Sequence, residues 1–307
     1  MANQPTWVTS LGDNSVRIDY PAGATVADLQ DTIDGWLVLH GWEVYDSNAG
    51  TGKKVYRALC LDATAYKYVQ VYVTTAAIQT NVYEAWDVEA NTGTNPASGG
   101  TQQVISTTNG GTIFLFAKAA YCIVLSLNGA TYGDSVYNSF TGIVEITRDN
   151  AEDTAAAGYP CWASICGTLM MNSAVIGFPR TRDGSTGAGA CTGTYLSWRG
   201  GFSGYYQAGN LNGNTFLKAG KLNAWSNKNL ALTLYTGKWA SADTVFEHKG
   251  RVMGLILLQK ALGSMLDTIP INLDANGFPD PSGTSTNCAV LSANTASGGD
   301  ARVAVPW

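Results

Sequence analysis

The chain has 307 residues, a formal net charge of −5 and a charged fraction of only 13%, against an average near ~25%. Its 18 lysines and arginines form no stripe that could neutralise a run of phosphates, which argues against a nucleic-acid partner. No apolar run approaches the ~18 residues of a membrane-spanning helix, and Met1–Trp7 has neither the charged nor the apolar stretch of a secretory signal, so no membrane insertion is expected.

In chain order, Ser15–Tyr20 reads as a strand leading into a turn at Pro21–Ala24. Thr25–His40 follows as a helix, because Val26, Leu29, Ile33, Trp36 and Leu37 recur at three-and-four spacing. Thr25 with Asp28 makes an N-terminal capping pair, and Gly41 suits the left-handed residue that ends a helix. The rhythm then changes to period two. Trp42–Asp46, Val55–Asp62, Tyr66–Thr74 and Val82–Val88 predict an antiparallel meander with the helix packed across it. Asn91–Gly100 contains no bulky apolar residue and reads as a surface loop.

Beyond that loop, Gln103–Ser106, Ile113–Phe116 and Tyr121–Leu127 read as strands, the last two apolar enough for the centre of a sheet. Phe140–Thr147 is another strand, Asp149–Gly158 an acidic turn, and Thr181–Asn214 a set of long Gly-rich loops with a strand near Tyr195–Trp198. Strands return at Ala231–Tyr235, Arg251–Gln259 and Ile269–Leu273, and Val303–Trp307 suits docking at an edge or an interface. The expected fold is mainly β: a helix plus antiparallel meander over residues 1–95, then a β-sandwich-like unit with long loops over 101–307, or else one continuous compact body. No fixed-period repeat points to a solenoid, propeller or fibre.

The chemistry-bearing residues have bland readings that outweigh the sharp ones. Gly50–Lys54 lacks the spacing of a phosphate loop and reads as a hairpin tip, and no GxSxG elbow exists. His40 ends a helix, where a cation is stabilised by the dipole, and His248 lies between Glu247 and Lys249. Glu84, Asp87 and Glu89 around Trp86, and Glu145, Asp149, Glu152 and Asp153, are the carboxylates that a glycan-cleaving enzyme would draw on. Exposed strand acids and a solvated turn explain them more simply, so no catalytic residue is assigned. Asp274–Asp280 resembles a calcium loop without its late Glu, which makes a tight turn held by Asp and Asn side chains the better reading. Cys60 and Cys122 sit in apolar strands as core residues, while Cys161, Cys166 and Cys191 are candidates for pairing. Neither a zinc site nor any other metal or cofactor is expected, since both histidines lie far from the cysteines and no CxxC occurs.

Trp198, Arg199, Tyr205 and Tyr206 lie in a Gly-rich stretch and are candidates for a subunit interface or for stacking on a ligand, with Val303, Val305 and Trp307 of the last segment and the apolar strand edges as further interface candidates.

Several stretches resemble segments of tailed-bacteriophage virion structural proteins: GWEVYD at Gly41–Asp46, YKYVQVYV at Tyr66–Val73, YEAWD at Tyr83–Asp87 with Gly93–Asn95, EITRDNAEDTAAAGYPCWA at Glu145–Ala163, and the region Gly250–Phe278. The likeness is spread over much of the chain and marks turns and strand registers, so it carries over no functional residue. It implies a tail, baseplate or head-surface component, made in the host cytoplasm and located in the virion. Such a part is non-enzymatic and is present in many symmetric copies. Its partners would be copies of itself and other virion proteins, with a host surface glycan as a further candidate.

Overall fold

The computed structural model describes residues 6–61, 63, 65–94, 103–127, 139–145, 147, 162–168, 173–177, 194–197, 208–209, 215–219, 230–236, 247–258, 266–290 and 302–307. It is mainly β with an N-terminal helix, as expected. Strands Val8–Gly12 (β1) and Ser15–Tyr20 (β2) precede helix Val26–Leu39 (α1). Glu43–Asp46 (β3), Lys53–Leu59 (β4), Tyr66–Val73 (β5), Ala77–Tyr83 (β6), Ala85–Asp87 (β7), Thr92–Thr94 (β8) and Gln103–Val104 (β9) follow. Next come Gly111–Lys118 (β10), Tyr121–Leu127 (β11), Ser139–Glu145 (β12), Trp162–Thr168 (β13), Ser173–Gly177 (β14), Thr194–Ser197 (β15) and Ala208–Gly209 (β16). Thr215–Ala219 (β17), Leu230–Thr236 (β18), Glu247–Leu258 (β19), Thr268–Leu273 (β20), Thr284–Val290 (β21) and Arg302–Pro306 (β22) complete the described elements.

Among the described residues the sheets have the orders β1-β2-β10-β11-β12-β13-β14-β15-β16, β17-β18-β19-β22-β21-β20 and β3-β4-β5-β6-β9, with β7 and β8 a separate hairpin. The pairings set out residue by residue are all antiparallel, as in Tyr56 opposite Val69 and Phe114 opposite Leu125. Tyr83 ends β6 and Ala85 begins β7, so the strand expected over Val82–Val88 is interrupted at Glu84.

The helix forms where its sequence directs. Thr25 Oγ1 accepts from the Asp28 backbone N–H at 3.1 Å while Asp28 Oδ2 accepts from that of Thr25, also at 3.1 Å, completing a capping box worth about 1 kcal/mol. Gly41 has φ +88, a conformation open to glycine without strain. Leu29, Ile33, Trp36 and Leu37 turn inward into one cluster with Val16, Ile18, Ile113, Leu115 and Val124 of the long sheet and Tyr56, Val69 and Val71 of the five-stranded sheet.

That shared cluster draws on residues from both sides of the division expected between residues 95 and 101. β2 pairs with β10 from Tyr20 opposite Gly111 to Ser15 opposite Phe116, so the long sheet draws strands from both sides of the proposed joint. Periodicity reports single strands and carries no record of which distant strand becomes the neighbour.

Polar groups tie the two sheets along their seam. Thr80 and Thr141 hydroxyls meet at 2.5 Å, Trp162 Nε1 donates to the Tyr83 carbonyl at 3.2 Å, and Lys67 Nζ reaches Glu145 Oε2 at 2.8 Å. On the other side of the long sheet, the Tyr121 ring lies against Gly254 and the Phe116 ring stands 5.6 Å from that of Trp307. Three of the outermost strands, β1, β3 and β20, are blunted. Register slips between Ser10 and Gly12 in β1 and between Val44 and Asp46 in β3, while β20 carries Pro270. Slipped register and proline both hinder a further strand from adding at these three edges.

Candidate interface at one end of the sheets

The β10–β11 hairpin tip, Lys118–Tyr121, organises one end of the molecule. The Ala117 N–H donates to the Asn14 carbonyl at 2.9 Å, which brings in the turn between β1 and β2. Trp42 Nε1 donates to the Lys118 carbonyl at 2.9 Å, and Gly41 lies against Ala119, which brings in the C-terminal end of α1. The Glu145 N–H donates to the Ala120 carbonyl at 2.8 Å, and Glu145 Oε1 accepts from the Leu61 N–H at 2.7 Å, which brings in the β4–β5 loop.

Exposed apolar side chains stand on these loops and on the strand ends beside them. Val38 is 53% and Leu39 69% exposed at the helix end, Leu61 57% in the β4–β5 loop, and Leu59 and Tyr66, directly opposite each other, 43% and 41%. Leu11 is exposed in β1 beside the first turn. Among the described residues only one other large hydrophobic residue, Val88, is exposed to this degree, and it follows β7. Single exposed hydrophobics are ordinary, whereas a group of them marks a contact surface.

Beside Leu59, Arg57 is held in a fixed pose. Its guanidinium carbon stands 4.2 Å from the Tyr45 ring centroid and 4.5 Å from that of Tyr66. Its Nε and Nη2 donate to Glu43 at 2.8 and 3.0 Å. The hydrogen bond holds the Glu43 carboxyl below and the Arg57 guanidinium above their ordinary values. A tyrosine-flanked arginine with its rotamer already set loses little freedom on binding, the usual character of an interface anchor.

Directly beneath lies a buried ion pair. Lys67 is wholly buried, donates to Glu145 and to the Leu59 carbonyl at 3.2 Å, and sits 5.5 Å from the Trp42 ring centroid. His40 caps α1 with its backbone N–H on the Leu37 carbonyl, while that of Gly41 donates to the Val38 carbonyl, and the His40 ring stands 4.1 Å from that of Trp36. Its Nε2 is buried without a partner, and burial lowers its pKa, Asp13 opposing and Lys118 adding. The cation expected there from the helix dipole is therefore disfavoured; loss of water outweighs the dipole.

Of the residues expected at an interface or a ligand, Trp198, Arg199, Tyr205 and Tyr206 lie outside the described residues. Val303 and Val305 belong to β22, which lies between β19 and β21: Val303 is opposite Leu257, and Val305 is opposite Ala289 and fully buried. The backbone of this segment pairs on both sides within its own sheet, so β22 is not an edge to which another strand could add. Trp307 stays half-buried at the margin of the apolar end; its carbonyl accepts from Asn14 Nδ2 at 3.0 Å and its Nε1 donates to Thr268 Oγ1 at 2.9 Å.

The other candidates also have places. Asp87 Oδ1 accepts from the N–H groups of Glu89 and Ala90, and Trp86 is buried with its Nε1 on Asp46 Oδ2 at 2.7 Å. Asp274 Oδ1 accepts from the N–H groups of Asn276 and Phe278, each at 2.9 Å, around Gly277 at φ +84, which is the side-chain-held turn read from the sequence. Lys53 N–H donates to the Gly50 carbonyl at 2.9 Å, as at a hairpin tip. Cys60 and Cys122 are core residues; Cys161 and Cys191 lie outside the described residues. Among the described residues no group of three or more His, Cys, Asp or Glu could hold a metal, and no helix is long and apolar enough to cross a membrane.

The apolar end was missed as a unit, although the sequence carries a signal for it. Val38 and Leu39 fall off the helix's inward stripe, and Leu59 and Leu61 flank the end of a strand where solvent is expected. No protein-family model matches the chain, and no curated protein matches its sequence.

Proposed function

We propose that this chain is a non-enzymatic structural component of a tailed-phage virion, assembling in multiple copies in the tail or baseplate region. The observation that supports this most is that exposed Val38, Leu39, Leu59, Leu61 and Tyr66 stand on or beside segments bonded to the Lys118–Tyr121 tip or to Glu145, which is itself bonded to that tip. A body whose sheets are cross-tied acts by geometry, offering faces for neighbours to pack on. The segments that resemble virion proteins include Gly41–Asp46 and Tyr66–Val73, which contribute to that end. The test is sedimentation velocity on the purified chain together with peptide mapping of purified phage particles. Multiples of the 32.4 kDa chain mass and the chain's peptides in intact particles are expected. A strict monomer absent from particles would overturn the reading.

A receptor- or glycan-binding tail module, or a capsid decoration protein, is the alternative. Tyr45, Tyr66 and Tyr68 around Arg57 support the glycan reading, because ring faces and a fixed guanidinium suit sugars. Binding on an array of bacterial surface polysaccharides, lost on Tyr66→Ala, would favour it.

A further inference from the structure

We infer that Lys67 and Glu145 are the site of a covalent modification: an isopeptide bond that forms between their side chains once the chain has folded and ties the five-stranded sheet to the long sheet. This goes beyond the assembly reading and does not depend on it. Lys67 lies in β5 and Glu145 ends β12, 78 residues further along the chain. Their side chains are 0% and 4% exposed, and Nζ stands 2.8 Å from Oε2. Trp42, itself buried, closes one side with its ring centroid 5.5 Å from Nζ.

Two backbone groups of Leu59–Leu61 set the pair for condensation. The Leu59 carbonyl accepts from Nζ at 3.2 Å and fixes where the amine points. The Leu61 N–H donates to Oε1 at 2.7 Å, so the oxygen that gains charge as nitrogen adds to the carboxyl carbon already has its donor. One such donor in an enclosed site is worth about 10²–10³ in rate. Groups held in line within a fold react as though at ~10⁵–10⁸ M, which favours joining over the reverse attack by water.

The step needs no outside reagent. The Nζ–Cδ bond forms and the Cδ–Oε2 bond breaks. Two ammonium protons leave with Oε2 as water, the third stays on the amide nitrogen, and the two charges vanish together. Ions kept out of water are costly, whereas an amide is neutral. Its N–H keeps the Leu59 carbonyl and its oxygen keeps the Leu61 N–H, so both polar atoms remain paired. Other ion pairs, such as Lys54 with Asp34 and Arg57 with Glu43, are partly open to solvent, which stabilises the ions and removes that drive. Newly folded chain holds Lys67 and Glu145 as ions, and the amide is what they become.

The experiment is intact mass spectrometry on the full chain, held folded at neutral pH, sampled over time and unfolded in urea before measurement. Wild type is expected to become one water lighter than its sequence, and its digest to contain one branched peptide joining the Lys67 and Glu145 segments. Lys67→Met should keep its full sequence mass. Wild type that stays at full mass, with Lys67 open to acylation once unfolded, would overturn the inference. So would a water loss mapped to any other residues, or one that persists in Lys67→Met. The deciding measurement is made on wild type, so a variant that fails to fold does not blunt it.

Discussion

Lys67 and Glu145, one from each of the two sheets that enclose the main core, meet at 2.8 Å with both side chains out of water. Neither charge can be removed singly without stranding the other. Lys67→Met or Glu145→Gln should each lower unfolding free energy by about 3–5 kcal/mol, read from urea midpoints. The double replacement Lys67→Met with Glu145→Leu should recover most of the loss, because two apolar groups need no mutual compensation. Single variants within about 1 kcal/mol of wild type would show that water reaches the pair.

Tyr121 and Gly254 test the packing of the other sheet pair. The Tyr121 hydroxyl is buried without a partner, and burial pushes its pKa up. Tyr121→Phe removes an unsatisfied group and should raise stability by about 1 kcal/mol. Gly254 sits at φ +74 with the Tyr121 ring where a Cβ would stand. Gly254→Ala should therefore cost about 2 kcal/mol or more. Calorimetry on the pair reads both signs, and a destabilising Tyr121→Phe would reveal a bound water.

Acid should weaken the fold through His40. Its folded pKa lies below the ordinary value of 6.5, chiefly from burial. As pH falls below about 6.5 the unfolded chain takes up a proton that the folded chain refuses. Stability is then fully present above that pH and declines toward the lower folded value. Melting temperatures between pH 7.5 and 5.5 should fall more steeply for wild type than for His40→Gln; parallel slopes would exclude His40 as the cause.

Burial pushes the thiols of Cys122 and Cys288 up to about 12. Neither supplies thiolate near neutral pH, so both should resist iodoacetamide in the native state and react once urea unfolds the chain. Peptide mapping after timed alkylation checks each site by itself. Rapid native labelling of Cys122 would mean that the β10–β11–β12 region opens locally.

What was legible in the sequence is what short windows encode. The capping box at Thr25 and Asp28, the glycine stop at Gly41 and the alternation of Tyr66–Val73 all act within a few residues, and the structure has them where they were read. The pairing of Ser15–Tyr20 with Gly111–Phe116 acts across a span that periodicity does not see, so periodicity leaves two units and one continuous body both open. The candidate interface was hidden for the same reason: Leu39, Leu61 and the Asn14 turn belong to separate elements, and only long-range hydrogen bonds to one hairpin tip assemble them. A short apolar run such as Val303–Trp307 looks alike at a sheet's rim and at its centre, and here β22 lies between two strands.

Since Tyr20 faces Gly111 across a ladder, everything between them departs from and returns to one spot. Residues 21–110 thus form a cassette threaded into a hairpin, and a short turn could join the two flanking strands in their place. The cassette roofs the long sheet and carries most of the exposed apolar side chains, so exchanging it for another roof of similar size would change the outer surface while keeping the floor on which it stands.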